Sequence, residues 1–513
     1  MPDVIPTRPD TAVATPLRDV EDWLGGALLE RHGDTAGVEV TGLTLTTQRL
    51  RPGDLYAAPA GSSAHGARFA PQAVEAGAVA VLTDPEGARL CDGLGVPVLV
   101  VERPRAVLGG LAARLYGDPA TRLRLVAVTG TQGKTTTTRL AEGALTTAGR
   151  RAAVIGTVGT RVNGHDVATS LTTPEAPDLH ALFAVMAERD VEACLMEVSS
   201  HALVMGRVDG VVFDVACFTN LGRDHLDFHE TVEDYFAAKA SLFTPERCRL
   251  GLVNVDDEHG RRLVAEARVP VRTFSSEGRE ADWQAVDIDA QPGFSTFVVV
   301  TPDGERVPAR VPLTGSYNVS NALCAIAGLA EVGIDPADVA EGMAGSGGVP
   351  GRLEQVDAGQ PFLAVVDYAH KPDAVVAALE ALRPQATGRL VVVLGAGGDR
   401  DPGKRPIMGE VAARLADVLV VTDDNPRSED PAAIRKALVA GAEQVPADER
   451  AEVHDVAGRR EAIRLAVRTA GPGDVVCVAG KGHETGQEVA GTVNPFDDRA
   501  VLREELDAVR GGR

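Results

Sequence analysis

The chain has 513 residues, 44% hydrophobic and 24% charged, with 51 basic against 73 acidic side chains and a formal net charge of -22. At roughly 150 residues per domain this length predicts about three domains, each able to bury its own core. The acidity excludes a nucleic-acid surface, since no basic stripe stands to neutralise a phosphate backbone, and any anionic ligand must be held by local charge.

Met1 to Pro16 holds Pro, Asp and Thr without the apolar run of a signal peptide, and residues 1–17 are expected to form a disordered leader. No stretch reaches the uncharged apolar length of a membrane span, so no span and a cytoplasmic location are expected. The cysteines Cys91, Cys194, Cys217, Cys248, Cys324 and Cys477 are scattered without a C-x-x-C pair, which predicts reduced core thiols rather than a metal site. Residues 18–122 alternate short strand and helix patterns and form the first expected domain. Within it, Arg51-Pro-Gly-Asp-Leu-Tyr56 reads as a turn into a strand.

The second expected domain, residues 123–348, opens on Leu125-Val-Ala-Val-Thr-Gly130-Thr131-Gln132-Gly133-Lys134-Thr135-Thr136. An apolar, β-branched run ends at Thr129, a glycine-bracketed turn follows, and Lys134 opens a helix: strand, phosphate loop, helix. Glycine lets backbone N–H groups approach an anion, Lys134 supplies charge to the β/γ-phosphates, and Thr135 can hold Mg2+. The spacing departs from the ordinary P-loop, which needs a glycine where this chain has Val128. Alternating strand and helix runs predict a mostly parallel sheet covered on both faces, with function at its carboxyl ends. Leu171-Thr172-Thr173-Pro-Glu175 is a hydroxyl-rich turn for a sugar or phosphate, or simply a helix N-cap. Glu197, ending the run Cys194-Leu-Met-Glu197, is a candidate Mg2+ ligand, because a hard cation wants a carboxylate. Asp224-His225-Leu-Asp227-Phe-His229 and Tyr235-x-x-x-Lys239 follow. Asn318 and Asn321, at i and i+3, share one helix face. Gly345-Ser-Gly-Gly-Val-Pro-Gly351 is the expected hinge.

The third expected domain, residues 349–513, again alternates. Leu390-Val-Val-Val-Leu-Gly395-Ala-Gly-Gly invites a dinucleotide reading, which fails for want of the third fingerprint glycine and an acidic ribose partner. Two further strand ends carry Asp424-Asn425-Pro426-Arg427 and Gly480-Lys481-Gly-His-Glu484.

In order, the phosphate loop, Glu-Val-Ser-Ser-His, Asp-His-Leu-Asp with its lysine, Gly-Arg-Leu-Glu, Asp-Tyr-Ala-His, Asp-Asn-Pro-Arg and Gly-Lys-Gly-His-Glu resemble the Mur ligases over nearly the whole chain. The resemblance is to the branch that adds the third residue of the peptidoglycan stem peptide. It implies an α/β protein of three domains: a central P-loop-type mostly parallel sheet, a smaller N-terminal α/β domain and a C-terminal Rossmann-like domain. It implies a monomer that uses ATP and two Mg2+ to join UDP-N-acetylmuramoyl-L-alanyl-D-glutamate to meso-2,6-diaminopimelate through an acyl phosphate.

By the same resemblance, Lys134, His225 and Lys239 are catalytic. Gly130, Thr131, Gln132, Gly133, Thr135, Thr136, Asn318, Asn321, Arg352 and Asp367 bind ATP, Arg352 reaching back when the domains close. Thr47, Thr172, Thr173, Ser200 and Arg207 bind the uridine substrate, although Thr46-Thr47-Gln48 stands where the family has Asp-Ser-Arg. Thr135, Glu197, His225 and Lys239, the last as N6-carboxylysine, hold metal. Arg400, Asp424, Asn425, Pro426, Arg427, Gly480 and Glu484 bind the amino acid. The chemistry is coherent: a partly buried lysine has a lowered pKa and captures CO2, and paired arginines clamp the second carboxylate that separates diaminopimelate from lysine. The alternatives are L-lysine or LL-diaminopimelate as the amine, a folylpolyglutamate synthetase-like ligase, and a non-catalytic P-loop regulator. The uridine-type first domain and Asp-Asn-Pro-Arg disfavour the synthetase; Glu197, His225 and Lys239 together disfavour the regulator.

Overall fold

A computed structural model describes residues 5–11, 13–61, 63–222, 224, 225 and 228–511. Leu226 and Asp227 of the Asp-His-Leu-Asp motif lie outside the described residues. The chain divides into two compact units, Met1–Gln284 with Thr301–Gly304 and Leu323–Gly342, and Ala285–Val300 with Glu305–Ala322 and Met343–Arg513.

The first unit carries two sheets. The smaller contains β1 (Leu28–His32), β2 (Gly42–Thr44), β3 (Asp54–Ala58), β4 (Ala80–Thr83) and β5 (Val98–Val101), in the order β1-β5-β4-β3-β2. Only β1 runs antiparallel to its neighbour. Alternation decides its two cores: Leu55, Ala57, Ala80 and Leu82 face one, Tyr56, Ala58 and Val81 the other. Helix α1 (Pro104–Leu115) covers the first of them.

The larger sheet contains β6 (Arg124–Thr129), β7 (Ala152–Ile155), β8 (Thr160–Val162), β9 (His165–Val167), β10 (Ala193–Glu197), β11 (Phe213–Phe218), β12 (Cys248–Asn254) and β13 (Val271–Ser275). Their order is β9-β8-β7-β10-β6-β11-β12-β13, parallel except for β8 and β9. Buried on both faces, β6 is an unbroken Leu-Val-Ala-Val run rather than an alternating one. Its neighbours pair in register to the end, Val128 opposite Glu197 and Thr129 opposite Phe218. Three strand ends, at 130, 198 and 219, therefore open side by side.

The expected disordered leader is corrected over residues 5–11. Ile5 packs into the hydrophobic core of the larger sheet, and the buried Arg8 bonds both oxygens of Asp54 on β3, at 2.6 and 2.9 Å. Glu188 accepts from the amides of Asp10 and Thr11. An apolar residue with a buried carboxylate as partner for the nearby arginine holds down a segment whose composition alone reads as loose.

The second unit contains the hairpin β14 (Phe294–Val300) and β15 (Arg306–Val311), and a sheet of β16 (Glu354–Gln355), β17 (Leu363–Asp367), β18 (Leu390–Leu394), β19 (Val418–Val421), β20 (Glu452–Asp455) and β21 (Val475–Ala479). That sheet is ordered β16-β17-β21-β18-β19-β20 and is parallel apart from β16. Along β18, Leu390, Val392 and Leu394 enter one core while Val391 and Val393 enter the other, the pattern of a sheet with helices on both faces. The six cysteines are buried free thiols, and no described helix is long and apolar enough to cross a membrane.

Candidate functional site

The loop after β6 is built for an anion. Gly130 and Gly133 have φ of 153 and 85 degrees, and a Cβ on Gly130 would stand 1.9 Å from Thr219 Oγ1. Only glycine permits that approach. The end of β11 braces the loop: Asn220 Oδ1 accepts from the Gln132 amide at 2.9 Å, Thr219 Oγ1 donates to the Gln132 carbonyl at 2.6 Å, and the Thr131 amide donates to the Asn220 carbonyl at 2.9 Å. Helix α2 (Lys134–Thr147) starts at the loop with Thr135 and Thr136 buried in its first turn.

Two lysines converge on one carbonyl. Lys134 Nζ donates to the Gly130 carbonyl at 2.7 Å and to that of Thr131 at 3.0 Å. Lys239, 1% exposed on α3 (Val232–Ala240), donates to the same Gly130 oxygen at 2.8 Å, with its ammonium 4.5 Å from the centre of the Tyr235 ring. The Tyr235 hydroxyl lies 3.1 Å from Thr131 Oγ1, and burial pushes its pKa well above the ordinary phenol value.

After β10, buried Glu197 accepts from the amide and hydroxyl of Thr157, at 2.8 and 3.0 Å. Thr172 bonds Thr157 Oγ1 at 3.1 Å, while Thr173 donates to the Glu197 carbonyl and accepts from the Ser199 amide. The two threonines thus tie loops together, and the N-cap alternative is corrected: the following helix makes no side-chain cap bond. Ser200 Oγ is 2.9 Å from His229 Nε2. Arg207 pairs with Glu175 at 3.1 Å, and Glu175 also holds Arg105 at 2.8 Å. His225, at φ 52 degrees, lies 3.2 Å from Asp224 and edge-on to His201. Thr47 opens a short 3-10 turn capped by Thr46, and Arg49 at its end pairs with Asp178 at 3.0 Å.

Magnesium fits this donor set conditionally. Among the described residues no group of three or more His, Cys, Asp or Glu side chains stands together for a metal ion. Glu197 and Thr135 offer hard oxygens that phosphate and water must complete, as Mg2+ ordinarily requires. The Lys239 ammonium is a donor and no ligand; carboxylation of its nitrogen converts it into an oxygen ligand.

In the second unit, Asn318 Nδ2 donates to the Thr314 carbonyl at 2.7 Å and Asn321 bonds Asn318 Oδ1, so the two amides do share one face. Asp367 at the end of β17 accepts from the amides of Leu353 and Ala369; burial raises its carboxyl above the ordinary range against the pull of Arg352. Arg352 lies 4.6 Å over the Tyr368 ring. The loops after β18 and β19 are laced together: Asp399 accepts from Ser428, the Gly398 amide donates to the Asn425 carbonyl, and Arg427 donates to the Gly398 carbonyl at 2.6 Å. Asp399 and Arg427 are both left-handed at φ 52 degrees, strain that this lacing sustains. Arg427 also faces Glu488 at 3.3 Å, and Arg400 is exposed, donating to the Asp399 carbonyl.

Asp424 and Asn425 are buried, and a Cβ on Gly480 would stand 2.5 Å from Asp424 Oδ2. Asn425 Nδ2 donates to Glu484 Oε2 at 2.8 Å. Lys481, absent from the expected site, is fully buried and donates to Asn425 Oδ1 and Glu484 Oε2, both at 3.1 Å. Its signal in the sequence is a lysine one glycine beyond a five-residue apolar strand. Asn220 and Thr157, which hold the phosphate loop and Glu197, were likewise unassigned; single polar residues at loop starts carry no pattern of their own.

Residues 39–116 match the Mur ligase family catalytic domain, 128–329 the Mur ligase middle domain, and 351–482 the Mur ligase glutamate ligase domain. The chain is 56% identical to a UDP-N-acetylmuramoyl-L-alanyl-D-glutamate--2,6-diaminopimelate ligase of Streptomyces avermitilis, covering 99% of each chain. It is 48% identical to a protein of that name in Corynebacterium efficiens, over 98% of this chain and 96% of that one. A solved structure of a ligase with that name is 30% identical, with a TM-score of 0.69 over 97% of this chain and 100% of the other.

Proposed function

This chain belongs to the Mur ligase family, and on that premise we propose that it joins meso-2,6-diaminopimelate to UDP-N-acetylmuramoyl-L-alanyl-D-glutamate. It is an ATP-dependent, ADP-forming ligase of peptidoglycan precursor synthesis, acting in the cytoplasm as a monomer. The domains proposed within it are residues 18–122 for the uridine substrate, 123–348 for ATP and 349–513 for the amino acid.

The observation that carries the reading is the pair of lysines on the Gly130 carbonyl, inside a glycine loop that opens a helix. The D-glutamate carboxylate attacks the γ-phosphate, and the incoming amine then displaces phosphate from the acyl phosphate. Two anions must meet for this, so positive charge has to be positioned beforehand. Lys134 exchanges its carbonyl partners for the β/γ-phosphate oxygens, and α2 aims its first-turn amides at the same place. Asn318, Asn321, Arg352 and Asp367 are further proposed nucleotide contacts. Glu197 and Thr135 hold Mg2+, with His225 and carboxylated Lys239 for a second ion; bound metal supplies neutralisation of the phosphate charge. Thr47, Thr172, Thr173, Ser200 and Arg207 take the uridine substrate. Asp424, Asn425, Pro426, Gly480 and Glu484 take the amino acid, with Arg427 and Arg400 for its distal carboxylate.

The test is phosphate release from ATP with the uridine dipeptide and meso-diaminopimelate, LL-diaminopimelate or L-lysine, each product weighed by mass spectrometry. Turnover with meso-diaminopimelate alone is expected. Preference for lysine leaves the ligase and removes the arginine clamp. ATP turnover independent of the uridine dipeptide removes the ligase.

A further inference from the structure

We propose that Lys481 is a specificity-determining positioning residue: the internal counter-ion that sets the amino-acid site at one excess negative charge and so favours a zwitterionic distal end over a cationic one. This rests on the amino-acid assignment above.

The geometry places the lysine behind the carboxylate. Lys481 is 0% exposed and its partner Glu484 33%, so the ammonium cannot reach solvent while the carboxylate does. A buried ammonium is tolerated only when paired and hydrogen-bonded, and Lys481 is both, through Glu484 Oε2 and Asn425 Oδ1. The same contacts orient Asn425: its Oδ1 is taken by Lys481 and by the Glu488 amide, which leaves Nδ2 to donate to Glu484 Oε2. That carboxylate oxygen is thus doubly held, whereas Oε1 accepts only a long 3.5 Å bond from the Tyr368 hydroxyl and is the one that turns to a substrate ammonium.

A charge count gives the consequence. Around this pocket stand Asp424, Glu484 and Asp498 against Lys481 and Arg459; Arg459 is bonded to Asp498 at 2.7 Å and also feels Asp424 and Glu484. Three carboxylates against two cations, with Arg427 and Glu488 cancelling as a pair 3.3 Å apart, leave a single excess negative charge. One ammonium balances it, and Arg427 then receives the carboxylate beside that ammonium. Without Lys481 the excess doubles, and a bare cationic end, as in L-lysine, gains relative to a zwitterionic one.

The experiment compares the full-length protein with Lys481→Met, which keeps the stem and removes the charge. Steady-state kinetics are measured with meso-diaminopimelate, L-lysine and ATP as varied substrates. The expected result is an increase of about tenfold in KM for meso-diaminopimelate, little change in KM for ATP, and about a tenfold fall in preference over lysine. An unchanged preference overturns the proposal. Failure of the wild-type protein to use meso-diaminopimelate overturns instead the assignment on which it rests, before Lys481 enters. Should Lys481→Met lack a thermal unfolding transition, Glu484→Gln carries the test with 2-aminopimelate, which keeps the distal carboxylate and lacks the distal amine. With Lys481 counted, that variant is electrically balanced, and 2-aminopimelate is expected to come within about twofold of meso-diaminopimelate. A retained strong preference for the diamine means that the lysine charge does not count.

Discussion

Two lysines follow glycine-bearing strand ends in this chain, and they are held in opposite ways. Lys134, after β6, is half-buried and donates to backbone carbonyls of its own loop. Lys481, after β21, is fully buried and donates to a carboxylate and a side-chain amide. A carbonyl is a dipole that a phosphate oxygen readily outbids for an ammonium, whereas a carboxylate is a full charge. The first arrangement makes a lysine that can be handed to a ligand; the second makes a fixed part of the site. The same residue type at similar strand ends is thus divided into reagent and scaffold by what accepts its protons.

Lys134→Met sets the largest effect: kcat/KM is expected to fall by about a thousandfold or more in phosphate release, since a charge aimed at the transition state is lost. A loss no greater than that of Lys481→Met breaks the distinction between the two lysines. Lys239→Ala follows, with a loss of about a hundredfold that added acetate or formate restores in part, because a small carboxylate replaces the oxygens of the carbamate. Full activity of that variant ends the carboxylysine proposal.

Arg427→Ala sharpens the picture of the second unit. Discrimination between meso-diaminopimelate and L-lysine is expected to fall by about 10- to 100-fold, roughly 1.5–3 kcal/mol, the worth of a charge-assisted hydrogen bond. Competition between the two amino acids in one reaction measures it.

The smallest effect lies away from both lysines. His180 is fully buried, its Nε2 3.2 Å from the Asp209 carbonyl and its Nδ1 without a hydrogen-bond partner. Burial lowers its pKa from 6.5 to about 4. The unfolded chain therefore takes up a proton between pH 6.5 and 4 that the folded chain refuses. Stability is full above pH 6.5 and falls as pH drops towards 4, by about 1 kcal/mol between pH 7 and 5.5. Urea unfolding across that range reads the slope, and His180→Phe is expected to remove its share, leaving that of His370, which burial likewise lowers to about 4.

Much of the site was legible because it is local. The strand, glycine turn and lysine of 125–135 are contiguous, and so are Asp424 to Arg427 and Gly480 to Glu484; a phosphate loop or a strand-end motif writes its chemistry into a few successive residues. The hydroxyls of Thr172 and Thr173 were legible as polar and not as linkers, since what they bond is Thr157 and the 197–199 backbone, outside their own segment. Asn220 was invisible as the brace of Gln132 for the same reason: 88 residues separate them.

The sequence by itself determined the α/β class, the order of the strand ends and the family, because alternating apolar runs and contiguous motifs are properties of neighbours along the chain. Tertiary structure decided which groups pay for burial and with whom. It pinned residues 5–11 through Ile5 and Arg8, brought Lys134 and Lys239 to one carbonyl, and set Lys481 behind Glu484. The physical reason is that a charged side chain takes its role from its partner and its exposure, and both are fixed only when distant segments meet.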